Sequence, residues 1–99
     1  MTAKTTIDQL KSFEPDLRAK GVCALYLFGS NARGEAGPGS DIDLSFDIAP
    51  DVKFSLFDQA EIICDLTEAL GAKVDFVQRR AIHPYIRDRV EAEQIKVFG

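Results

Sequence analysis

Little in this sequence could hold a metal through sulfur or imidazole, staple a fold or cross a membrane. It has two cysteines and one histidine in 99 residues. Cys23 and Cys64 have neither metal-site nor redox spacing, so the sequence predicts two buried free thiols. His83 stands beside Pro84 at a predicted helix start, where local capping or surface placement accounts for it without catalysis. No apolar run is long enough to span a bilayer and the start carries no signal-peptide pattern, which makes the cytoplasm the expected compartment. Basic charge is also in short supply, with 12 Lys and Arg against 16 Asp and Glu for a net charge of −4. Broad nucleic-acid binding runs on phosphate neutralisation, so direct nucleic-acid binding is not expected. Repeats and low-complexity segments are absent. One domain, residues 1–99, with a modest core is the expectation.

What is present alternates helix and strand. Thr6-Ile7-Asp8-Gln9 resembles a capping box, and Ile7, Leu10, Glu14 and Leu17 follow at helical spacing. Pro15 kinks or restarts that helix, and Gly21 stops it. A strand over 22–28 and a short helix after Gly29 come next, then a loop from Gly34 to Gly39 around Pro38. A second strand runs from Asp41 to about Phe46, and Pro50 to Lys53 is a connection. Residues 54–70 give the clearest helix, with Phe57, Ala60, Ile63, Cys64, Thr67 and Leu70 as its apolar stripe and Gly71 as its stop. A strand over 73–78, a helix over 81–93 with Pro84 in its first turn, and a short edge strand over 94–98 complete the chain. The order is that of an α/β (α+β) protein, a small mixed sheet of about three or four strands flanked by helices.

The chemistry concentrates in residues 29–43, Gly-Ser-Asn-Ala-Arg-Gly-Glu-Ala-Gly-Pro-Gly-Ser-Asp-Ile-Asp. An apolar strand delivers the chain into Gly29 and Ser30, and Asp41 and Asp43 open the next apolar run. In a strand, residues i and i+2 point the same way, so both carboxylates share one face while Ile42 and Leu44 face a core. Mg²⁺ takes one or two carboxylates plus substrate phosphates, and carboxylates so spaced can share two ions in an in-line phosphoryl displacement. Gly29 lets backbone approach a phosphate, and Ser30 adds a hydroxyl at the start of the following helix. Asp75 lies at the centre of the Lys-Val-Asp-Phe-Val-Gln strand with the same parity, which predicts all three aspartates on one face of one sheet. An aspartate inside an apolar strand is costly to bury without a partner or a metal, and the alternative is an edge-strand aspartate facing water.

The string GSNARGEAGPGSDIDL resembles the signature of the minimal nucleotidyltransferases (MNT), a branch of the DNA polymerase β-like superfamily. Leu-Tyr-Leu-Phe before Gly29, the Val-Asp-Phe-Val strand and His-Pro-Tyr-Ile-Arg near the end extend the resemblance over almost the whole chain. It implies the nucleotidyltransferase fold, with Gly29 and Ser30 holding the triphosphate of ATP and Asp41 and Asp43 ligating Mg²⁺. Asp75 would be a third ligand or the base that deprotonates the attacking hydroxyl. Arg33 would brace the phosphates or the site's loop. Larger relatives carry an added acceptor-binding domain, and the minimal family resembles antitoxins whose partner is an all-helical HEPN toxin. The implied activity is AMP transfer from ATP to a tyrosine hydroxyl of that toxin, within a hetero-oligomer. Two rivals stand beside it: an antitoxin that neutralises by binding alone, and an enzyme acting on a small hydroxyl compound such as an aminoglycoside. Tyr26 and Phe28 fit core packing or base stacking. Arg79, Arg80, Arg87 and Arg89 fit a solvated face or a partner surface.

Overall fold

The computed structural model describes residues 3–34 and 41–99; the expected loop from Gly34 to Gly39 lies outside them beyond Gly34. Two helices, α1 (Ala3–Lys11) and α2 (Glu14–Ala19), lead into β1 (Val22–Phe28), and the short α3 (Ser30–Arg33) follows at once. After β2 (Ile42–Ile48) come α4 (Leu56–Leu70), β3 (Val74–Gln78), a single 3₁₀ turn (Arg79–Ala81), α5 (Pro84–Glu93) and β4 (Ile95–Phe98). Pro15 restarts the helix, because it occupies the first turn of α2, where its missing N–H costs nothing. The expected cap at Thr6 does not form: α1 already begins at Ala3, and Thr6 is buried inside it.

The four strands make one mixed sheet in the order β3-β2-β1-β4. β1 runs antiparallel to β2 and β4, β2 runs parallel to β3, and the last strand lies at an edge as its sequence suggests. Strand alternation sorts side chains onto two faces. Leu25, Leu27, Leu44, Phe46 and Phe76 take one face and pack with Leu10, Leu17, Ile62 and Leu66 from α1, α2 and α4. Phe46 and Phe76 stack at 3.9 Å between ring centroids and 8° between planes, with Phe54 tilted against Phe46 at 5.4 Å. Each buried side chain of this size contributes about 1.5–3 kcal/mol relative to exposure. The other face carries Asp43, Asp47, Asp75 and Val77, and α5 crosses it.

Helix α4 corrects the predicted stripe. Its buried line is Ile62, Leu66 and Leu70; of the predicted stripe Leu70 is buried and Ile63 packs against the core, whereas Phe57 is 88% exposed and Leu56 beside it 83%. Phe57 and Leu66 are nine residues apart, about two and a half turns, which places them on opposite sides of the helix. The helix is apolar on both sides, so periodicity alone could not choose between them. Cys64 belongs to the outer side and is exposed, not buried, while Cys23 is half-buried in β1. The start of α4 is fixed by a capping box: the Asp58 amide donates to Ser55 Oγ at 3.1 Å and the Ser55 amide to Asp58 Oδ2 at 3.0 Å. Gly71 ends it in the left-handed conformation, at φ 66°.

This phase assignment is tested by urea unfolding of two variants. Leu66→Ala should lose about 2–5 kcal/mol through its cavity, and Phe57→Ala should stay within about 0.5 kcal/mol of the parent. The reverse order would put α4 in the wrong rotation.

Candidate active site

One end of the sheet gathers the C-terminus of β1 and the N-termini of β2 and β3. Asp43 and Asp75 are direct neighbours in the parallel ladder, just as Ile42 pairs with Val74 and Leu44 with Phe76. Their parity follows from the apolar residues on either side, which can only point into the core. Asp41 immediately precedes β2 and is exposed. The structure thus brings Asp43 and Asp75 together and keeps Asp41 near enough for its charge to act on Asp43.

The Gly-Ser turn touches this pair. Phe28 is the cross-strand partner of Asp43, and Gly29 follows with φ 75°. A Cβ on Gly29 would collide with the Asp43 carboxylate, so only glycine both takes this backbone conformation and admits the acid beside it. Ser30 opens α3, whose Ala32 and Arg33 amides return to the Gly29 carbonyl at 3.1 Å each. Helix geometry leaves the Ser30 and Asn31 amides without an intrahelical partner. Arg33 reaches away from the turn to Glu93 at the end of α5, Nη1 to Oε2 at 3.0 Å, and its charge still acts on Asp43.

Electrostatics single out Asp43. Burial pushes its carboxyl from the ordinary 3.8 up to about 6, the Asp75 hydrogen bond and charge and the charge of Asp41 add to the rise, and Arg33 opposes it. A carboxylate so close favours a proton on Asp43. A hard divalent cation can take the place of that proton, since carboxylate oxygens are the donors it prefers. Among the described residues no three His, Cys, Asp or Glu side chains converge as a ready-made cage. The donor set therefore fits a cation through Asp43 and Asp75, with substrate oxygens completing its shell.

Sequence patterns gave no hint of the polar contacts that hold α5 over this face. Asp47 is in phase with Asp43 along β2 and accepts from Arg79 Nε at 3.1 Å. The Arg79 guanidinium also lies 5.0 Å from the centre of the Tyr26 ring and 3.8 Å from Glu91 on α5. Tyr26 is thus covered by a cation. Arg87 donates to the Arg80 and Ile82 carbonyls at 2.9 and 3.0 Å, and Arg89 lies 3.6 Å from Glu93. His83 caps α5 by accepting from the Tyr85 amide at 3.1 Å, as its place in the sequence suggests. No helix among the described residues is long and apolar enough to cross a membrane.

The shift at Asp43 fixes the sign of a pH effect. A carboxyl whose folded pKa is raised stabilises the fold fully below 3.8 and ceases to do so as pH climbs past about 6. In metal-free buffer at about pH 7, Asp43→Asn should therefore raise Tm, and the gain should shrink as pH falls toward about 4. Calorimetry at both pH values checks this. Adding Mg²⁺ with ATP should stabilise the parent and not the variant. Equal stabilisation of both would remove Asp43 from the metal site.

Comparison with known proteins agrees with this geometry. The profile of the family described as nucleotidyltransferase domain matches residues 7–97. A Methanocaldococcus jannaschii protein provisionally named a protein adenylyltransferase is 38% identical over 77 residues, which cover 77% of each chain. A solved structure provisionally described as a minimal nucleotidyltransferase superposes with a TM-score of 0.80 at 32% identity, over 96% of this chain and 95% of that one. A chain from the complex of a tri-AMPylated Shewanella oneidensis HEPN toxin with its MNT antitoxin superposes with a TM-score of 0.71 at 20% identity, over 99% and 73% of the two chains. At that identity the likeness is one of fold. With both strands of acids and the Gly-Ser turn inside the matched region, the chain belongs to the nucleotidyltransferase domain family and is a nucleotidyltransferase.

Proposed function

We propose that this protein transfers AMP from ATP to a tyrosine hydroxyl of a partner HEPN-type toxin and so acts as its antitoxin. The observation that carries the reading is the Asp43–Asp75 pair beside the Gly29-Ser30 turn, on the sheet face opposite the main core. The names of the relatives support the adenylyl group and the protein acceptor. ATP as donor sets the reaction in the cytoplasm.

Each residue then has a task. Gly29 and Ser30 hold the β- and γ-phosphates against the amides at the head of α3. Asp43, Asp75 and Asp41 from the strand entrance would hold Mg²⁺, as a pair of ions where both sites fill, and the metal supplies positive charge to the reacting phosphate oxygens. Asp75 accepts the proton from the acceptor hydroxyl as its oxygen bonds to the α-phosphorus. The bond from that phosphorus to the bridging oxygen breaks, and pyrophosphate leaves in line with the attack. Arg33, anchored by Glu93, keeps a positive charge near the turn without entering the step.

The test is the intact mass of the protein encoded by the neighbouring gene, co-expressed with this chain or with its Asp41→Asn, Asp43→Asn variant. A gain of whole AMP units with the parent and none with the variant is expected. An unchanged mass within a stable complex would mean neutralisation by binding, and no complex at all would point to a small-molecule hydroxyl.

A further inference from the structure

Carboxylates are out of place at the end of a helix. The macrodipole leaves partial negative charge at the C-terminus, where Lys, Arg or His is favoured. Yet α5 closes on Glu91 and Glu93, with no basic residue in its last turn. Arg89, one turn before Glu93, lies 3.6 Å from Glu93 Oε1, but its side chain is 80% exposed. A pair so open contributes little. The helix itself gives no reason for Glu93.

The reason lies across the molecule. Glu93 Oε2 accepts from Arg33 Nη1 at 3.0 Å, over 60 positions of sequence. Arg33 is the last residue of α3, a helix of four residues, too short to hold itself together by its own hydrogen bonds. The Arg33 amide closes the preceding turn by donating to the Gly29 carbonyl at 3.1 Å. Ala32 packs against the main core and pins α3 from one side. The Arg33 guanidinium pins it from the other, onto the end of α5. The turn so held is the one in which Gly29 stands against the Asp43 carboxylate. One ion pair thus ties α5 to the frame of the site.

We propose that Glu93 is a positioning residue for nucleotide binding: by holding Arg33 it fixes α3, and with it the Gly29-Ser30 turn, in the form that receives the phosphates of Mg-ATP. A carboxylate repels phosphates, so Glu93 acts through Arg33 and not on the ligand. The inference rests on the phosphate role proposed for that turn and is independent of which hydroxyl accepts AMP. Its physical signature is a sign. Deleting a negative charge near a polyanion tightens binding by Coulomb's law alone. An Arg33 set loose to reach the phosphates would tighten it as well. Loss of a held turn weakens binding, because the ligand must then order the segment itself.

The experiment reads the Kd of Mg-ATP by titration calorimetry, and the Tm of the free protein, for the parent and four variants. These are Glu93→Gln, Glu91→Gln, Arg33→Gln, and Arg33→Gln combined with Glu93→Gln. Glu91→Gln removes the same charge from the same helix end, where the Glu91 carboxylate lies 3.8 Å from Arg79. Glu93→Gln should raise Kd about fivefold or more, with Tm almost unchanged. Glu91→Gln should not weaken binding, and the double variant should bind no more weakly than Arg33→Gln alone. An unchanged or tighter Kd in Glu93→Gln would overturn the proposal, as would equal weakening by Glu91→Gln. Further weakening on top of Arg33→Gln would rule out the route through Arg33. If the parent binds no Mg-ATP, the phosphate role of the turn falls and the proposal with it. If the expected pattern appears but no AMP is transferred, the positioning role stands and the transfer reading falls.

Discussion

The register between β2 and β3 is the constraint on which the site depends. Sliding β3 by one residue would turn Asp75 into the core and Phe76 into solvent, so the pairing of Leu44 with Phe76 and the stack of Phe46 on Phe76 hold it in place. Asp43 and Asp75 are consequently forced side by side, an arrangement that two carboxylates would never choose for themselves. Apolar burial on one face sustains repulsion on the other. Gly29 completes the arrangement, because any side chain there would evict the Asp43 carboxylate from the turn.

The two faces of the sheet are held by different physics. Beneath it, α1, α2 and α4 bury leucines and phenylalanines in one continuous core. Above it, Ile82 and Val90 are buried apart from that core, and α5 is anchored largely through ion pairs: Arg79 with Asp47 and Glu91, Arg33 with Glu93. Partly exposed pairs of this kind contribute little each. α5 is thus the more loosely held layer, and its Ile86 and Val90 line a trough with Phe28 and Val77. Its orientation, rather than the sheet's, is the feature a ligand or a partner could adjust at small cost.

Strand parity was legible because every strand here is short and has an apolar face. Asp43 and Asp75 could be placed from alternation alone, whereas Asp41, expected at the head of the strand, lies just before β2, and the mixed sheet and its edge strand followed from element order. The rotation of α4 was not legible, since Leu56, Phe57, Ala60 and Cys64 make an apolar side as convincing as Ile62, Leu66 and Leu70. Only contact with the sheet distinguishes them. Thr6 misled for a related reason: a capping residue and a buried helix residue look alike when the helix begins a turn earlier. The basic run near the end reads as an open surface, and the structure spends most of it on Asp47, Glu91, Glu93 and backbone carbonyls. Ion pairs between distant segments leave no local pattern to read. The trough was hidden similarly, because its walls come from the end of β1, the middle of β3 and the face of α5.

Repulsion at the site links stability to function. An Asp43 carboxyl pushed up to about 6 burdens the fold at neutral pH, and positive charge arriving beside it would recover that stability. Lysine placed permanently at the pair would supply that charge, but it would also fill the position proposed for a metal and a triphosphate. Arg33 avoids this conflict: tied to Glu93, it offsets part of the negative potential at Asp43 from outside the pair. The protein therefore leaves most of the compensation to its ligands. A divalent cation held at Asp43 would relieve that cost, so part of its binding free energy would come from the repulsion the fold maintains there.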